Sequence, residues 1–184
     1  MIITISGIAG SGKSTIAKLL AKKLDYRHYS VGDFMRELAR QRSLTLLELS
    51  REAEQDKGID LELDRKQIEI GKTEDNFVID SRLGFHFIPS SVKVFLDVEL
   101  NEAARRIFDE KRQHEQYRDI QESIEKIKAR IRSEGRRYKE YYDIDYRDKK
   151  HYDIIIDTTS IKPEEAVRKI LDSMKSKKSL VTPN

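Results

Sequence analysis

The chain has 184 residues, enough for one compact α/β domain with a useful core. Lys and Arg total 36 against 33 Asp and Glu, and a net charge of +3 is too balanced to make nucleic acid the main partner. Cysteine is absent, which excludes disulfides, thiolate metal sites and a cysteine nucleophile and fits a cytoplasmic setting.

Met1 to Ser6 reads as a buried strand, since Ile2, Ile3 and Ile5 are β-branched and a glycine follows. This opening run is too short for a signal peptide, and no apolar stretch in the chain is long enough to span a membrane. Ser14 to Leu24 carries apolar residues at helical spacing, and Arg27 to Tyr29 suits a short strand. Ser30 to Asp33 predicts a turn into a helix through Phe34, Met35, Leu38 and Ala39. Two further helices are expected at Thr45–Gln55 and Leu61–Ile70, with a turn at Lys57-Gly58 between them. Asn76–Asp80 and Val92–Val98 are strands by their apolar runs, and Asn101 is a good helix start. From Ala103 to Tyr142 the chain is charged and helical, with only Gly135 to interrupt it. Ile154 to Ile156 forms the last strand, Pro163 opens a final helix, and residues 175–184 are expected to fray. The alternation predicts a three-layer α/β sandwich around a parallel sheet in a single domain.

Gly7-Ile8-Ala9-Gly10-Ser11-Gly12-Lys13-Ser14 fits G-x-x-x-x-G-K-[ST] between a strand and a helix, and Thr15 extends it. Glycines let the backbone turn so that N–H groups face phosphate oxygens, and the following helix adds the positive end of its dipole. Lys13, expected on an exposed loop, would reach the β and γ phosphates, and Ser14 would ligate Mg²⁺. The motif predicts a nucleoside triphosphate donor and is silent on the acceptor.

Three features address the acceptor. Ser30-Val31-Gly32-Asp33-Phe34-Met35-Arg36 suits a clamp for a monophosphate, with Arg36 gripping it through paired hydrogen bonds. The same residues equally suit an ordinary helix cap at Ser30 or Asp33 with a solvated Arg36. Asp80 ends a buried strand where a carboxylate for Mg²⁺ belongs, and Arg82 follows it into the same crevice. Residues 105–137 hold eleven Lys or Arg against seven acids, so a lid over about 105–145 could bring arginines to the transferred phosphoryl group. Most of that run is expected to be solvated surface, with Arg130 and Arg137 as the catalytic candidates beside Lys13 and Arg82. Four scattered histidines show no ligand spacing.

The phosphate loop, S-x-G-x-x-x-R at Ser30–Arg36, the strand-ending Asp80-Ser81-Arg82-Leu83 and the run from Arg136 to Asp145 together resemble the short archaeal-type cytidylate kinases. The resemblance covers roughly Met1 to Lys175 and implies ATP on Gly7 to Thr15 with a pyrimidine monophosphate near Ser30, Gly32, Arg36 and Arg82. It also implies acceptor-side helices over about 30–72, where Asp60, Asp64 and Arg65 could read a base. Ser81 stands where related kinases usually carry glycine. The expected partners are ATP and CMP or dCMP, with the chain a monomer that binds no membrane and no nucleic acid. Two rivals stay open: a kinase of the same scaffold for adenylate, dephospho-coenzyme A or a small alcohol, and a nucleotide-controlled protein that binds RNA or a partner.

Overall fold

Strands and helices alternate throughout this computed structural model, which describes residues 1–109 and 118–181. In chain order they are β1 (Ile2–Gly7), α1 (Lys13–Leu24), β2 (Arg27–Ser30), α2 (Val31–Gln41), α3 (Leu46–Glu52), α4 (Lys57–Thr73) and β3 (Phe77–Asp80). Then come α5 (Gly84–Phe87), β4 (Val92–Asp97), α6 (Leu100–Asp109), α7 (Ile120–Tyr142), β5 (Ile154–Asp157) and α8 (Pro163–Val181). The strands form one sheet in the order β2-β3-β1-β4-β5, every pair parallel.

Parallel strands covered on both faces need largely apolar runs, and the central β1, β3 and β4 have them, whereas the edge strand β2 is Arg27-His28-Tyr29-Ser30. On one face Ile3, Ile5, Val78, Val94, Leu96, Ile154 and Ile156 pack with Ile16 and Leu20 of α1 and Ile170 of α8. On the other, Phe77 and Ile79 meet Ile70 of α4 and Ile88. A satellite cluster of Leu38, Leu49 and Ile59 binds α2, α3 and α4 together, and Val98, Ile107 and Ile127 join α6 to α7. The expected three-layer sandwich is what the chain adopts. Strand ends at Gly7, Ser30 and Asp80 lie on one edge of the sheet, where parallel α/β folds bind ligands.

Local chemistry moves several expected boundaries. Ser30 Oγ accepts from Asp33 N at 3.4 Å, so of the two expected caps it is Ser30 that starts α2, at Val31. Asp56 Oδ1 accepts from Gly58 N at 2.7 Å, which makes the expected turn at Lys57-Gly58 the first turn of α4. Thr45 and Glu48 form a reciprocal capping box on α3. The long charged helix is two helices, the second capped by Asp119. Part of the expected lid, with Lys111 and Arg112, lies outside the described residues. The tail expected to fray from Lys175 instead continues α8 to Val181, because nothing breaks a helix there before Pro183. The four-residue α5 and a 3₁₀ turn at Lys149–His151 carry too little periodicity to read from sequence. Among the described residues no helix is long and apolar enough to cross a membrane.

Candidate functional site

The phosphate loop joins β1 to α1 in a conformation that needs its glycines. Gly10 (φ 80°) lies so close to α6 that a Cβ would sit 2.4 Å from the Ala103 carbonyl oxygen. Gly12 (φ 82°) opens α1 in the left-handed region. Ile8 and Ala9 pack against the α6–α7 cluster, Thr15 is exposed, and Ser11 Oγ is buried with no hydrogen-bond partner.

Lys13 departs from expectation. It is the first residue of α1 and only 8% exposed, with Nζ donating to Ile8 O at 2.7 Å. Burial pulls its pKa well below the ordinary lysine value, and the positive charge of Arg82 adds to that, against Asp80 and Glu134. A desolvated ammonium tied only to a loop carbonyl is ready to exchange that oxygen for an anionic one.

Asp80 is the hub at the end of β3. Its Oδ1 receives Ser30 Oγ at 3.1 Å and Ser14 Oγ at 3.4 Å, and Oδ2 receives His28 Nε2 at 3.1 Å. Burial acts to raise this carboxyl, but the His28 hydrogen bond and the Lys13 charge outweigh it and hold the pKa below the ordinary aspartate value. Ser14 and the ionised Asp80 are hard oxygen donors side by side, able to hold a small divalent cation whose other ligands are phosphate and water. No cluster of three acidic or histidine ligands occurs among the described residues.

Arg82 and Arg130, separately predicted, converge on one carboxylate. Arg82 Nε donates to Glu134 Oε2 at 2.9 Å and Arg130 Nε to Glu134 Oε1 at 3.0 Å. Tyr146 OH adds a third donor to Oε2 at 3.2 Å. Burial opposes the charge on Glu134, yet the two guanidinium groups draw its pKa down to about 2, and Glu134 in turn raises Arg82 against the effect of burial. Arg137 does not join them. It turns to α4, where its Nη1 donates to Asp60 Oδ2 at 2.9 Å and its buried Nε has no partner.

In the region expected to take the acceptor, Asp64 accepts from Tyr142 OH and, at 3.4 Å, from Gln67 Nε2. Gln67 Oε1 accepts from Ser81 Oγ at 2.5 Å, so the serine that replaces an expected glycine is wired to α4. Burial, with no cation bonded to it, raises Asp64 to about 7; burial also raises Asp60, against the opposing charge of Arg137. Gly32 is half-buried next to Ser30, but Asp33 and Arg36 pair with each other at the surface, and Arg65 is exposed. Ser30 caps α2, one of the two readings open for it, and its hydroxyl also donates to Asp80.

Sequence reading missed Glu134, which looked like one more acid in a charged run. The four-residue spacing from Arg130 was the available signal, since it puts both on one helix face. His28, Gln67, Tyr142 and Tyr146 gave none. Elsewhere among the described residues of the basic segment, Arg105 pairs with Glu102 and Asp109, Arg118 with Glu122, and Lys128 with Glu125.

Comparison with known proteins gives a consistent result. Residues 2–160 match the cytidylate kinase-like family. The chain is 42% identical over 178 residues to a cytidylate kinase of Natronomonas pharaonis, covering 94% of this chain and 88% of the relative. It is 37% identical over 164 residues to a cytidylate kinase of Methanothermobacter thermautotrophicus, covering 89% and 99%. A solved shikimate kinase from Bacteroides thetaiotaomicron shares the fold, with a TM-score of 0.68 at 19% identity over 95% and 98% of the two chains. A match across most of the sequence, to relatives that share nearly its whole length, means that the chain belongs to the cytidylate kinase-like family.

Proposed function

We propose that the protein transfers the γ-phosphoryl group of ATP to CMP or dCMP, giving ADP and CDP or dCDP. The observation that carries the reading is the convergence of a buried Lys13 with Asp80, Arg82 and Arg130 at the mouth of a phosphate loop. Donor phosphates would lie on Gly7 to Thr15, with Lys13 on the β and γ oxygens. Ser14 and Asp80 would hold Mg²⁺, which when bound supplies positive charge to those oxygens.

An acceptor phosphate oxygen attacks the γ-phosphorus, and the bond to the ADP oxygen breaks with its electron pair leaving on ADP. That oxygen is already anionic near neutral pH, so no strong base is required, and alignment plus charge neutralisation carry the reaction. Ser30 and Gly32 would approach the acceptor phosphate, and Arg36 would trade its weak surface pair with Asp33 for it. Asp60 and Asp64 stand on the acceptor side, where a cytosine amino group would need a hydrogen-bond acceptor. A cytoplasmic monomer is part of the same reading, and the absence of cysteine fits a reducing compartment.

The test is initial rates for CMP, dCMP, UMP, AMP and GMP at equal subsaturating concentration with MgATP. CMP and dCMP should be fastest, UMP weaker and the purines poor, because a site built for one base leaves buried polar groups unpaired with another. AMP reacting fastest would overturn the acceptor assignment.

A further inference from the structure

The Arg82–Glu134–Arg130 triad has a geometry that an ordinary structural ion pair does not require. Each arginine donates its Nε–H, one to each carboxylate oxygen of Glu134. No hydrogen bond among the described residues engages the terminal Nη groups of either one. Arg137 makes the contrast, spending a terminal nitrogen on Asp60 and leaving its Nε unused.

The mount is rigid. Glu134 is buried, and the fully buried Tyr146 bonds it while accepting at its own carbonyl from Tyr152 OH at 2.5 Å. At the other end, the Arg82 backbone is pinned where β3 stops, because Ser6 Oγ of β1 donates to Arg82 O at 3.0 Å. Lys13, Arg82 and Arg130 repel one another in a partly dry space, and the exposed half of Arg130 would otherwise swing into solvent. Glu134 offsets that repulsion from behind. Three cations then face two carboxylates, Glu134 and Asp80, a balance that still attracts an anion.

We propose that Glu134 is a positioning residue that grips Arg82 and Arg130 by their Nε–H groups, so that both terminal nitrogen pairs meet the oxygens of the transferred phosphoryl group. This rests on the phosphotransfer reading above. It assigns Arg82 and Arg130 as the arginines that touch the reacting group and Arg137 as a tie between α7 and α4.

The test is Glu134→Gln, whose amide can accept from one arginine but presents N–H groups to the other. With MgATP and CMP, kcat should fall at least about tenfold while the dissociation constants of both substrates, measured by calorimetry, stay within about threefold. Glu134→Asp, which keeps the charge, should recover part of the loss. In an Arg130→Ala background the same substitution should have a much smaller effect than alone, because the two act as a unit. If Glu134→Gln does not fold, Arg130→Lys decides, since lysine keeps the charge but lacks the fork that serves two partners at once. It should also lose at least about tenfold in kcat. Parent-like kcat in either variant, or fully multiplicative effects in the double mutant, would overturn the assignment. A parent enzyme that phosphorylates no monophosphate would instead overturn the proposed function.

Discussion

The proposed donor cradle and the proposed acceptor side would hold phosphate and charge away from water with opposite materials. The cradle is one continuous run from Gly7 to Thr15, and its shape is a backbone shape. The acceptor side is assembled from side chains far apart in sequence: Arg82 meets Glu134 across 52 positions, Arg137 meets Asp60 across 77 and Tyr142 meets Asp64 across 78. A backbone site depends on few side chains and tolerates change in the rest. A side-chain site has many partners, and each is left uncompensated when another is removed.

The largest effect is expected where the cradle does rely on a side chain. Lys13→Ala should lower the transfer rate by at least about a hundredfold in a steady-state assay, since the developing charge on the phosphoryl oxygens loses its nearest cation. Because Lys13 is buried beside Asp80, a modest drop in melting temperature should accompany the loss. A rate within a few-fold of the parent, free of contaminating kinases, would erase the contrast between the two regions.

A smaller effect tests the acceptor side as a structure. Removing one partner of the buried Arg137–Asp60 pair strands a charge, so Arg137→Met should destabilise the fold by about 3–5 kcal/mol in denaturant melts. The double replacement Arg137→Met with Asp60→Leu should restore much of it. A double mutant no better than the single would mean that the pair is not what holds α7 to α4.

The smallest effect is a pH dependence. Asp64 has a folded pKa raised to about 7, so the native state binds its proton more tightly than the unfolded chain does. Its contribution to stability is complete below the ordinary aspartate range and is lost as pH rises through about 7. Stability of Asp64→Asn relative to the parent should therefore rise between about pH 5 and about pH 8. A flat difference would place the Asp64 carboxyl in a more compensated environment.

Legibility in sequence followed the same division. The strands around Ile3, Ile79 and Ile155 announce themselves by β-branched runs, and the cradle by glycines whose spacing has one use. Asp80 was readable because a strand's end fixes where its last side chain goes. Lys13 was placed in the right loop but in the wrong solvent, since its burial and its charged neighbours Arg82, Asp80 and Glu134 come from the tertiary fold, which no local pattern reveals. Arg130 and Arg137 look alike in a run of basic residues. Their places on α7 separate them: Arg130 meets Glu134 one turn along its own helix, while Arg137 reaches across to Asp60 of α4.

The closeness of Gly10 to the Ala103 carbonyl carries a thermodynamic consequence. A glycine-rich loop left free would have many shapes and would lose that freedom each time nucleotide bound. Here α6 presses on the loop from outside, and no side chain fits between them. The loop's entropy is therefore surrendered once, when the chain folds, and little of it remains to oppose the arrival of a phosphate chain.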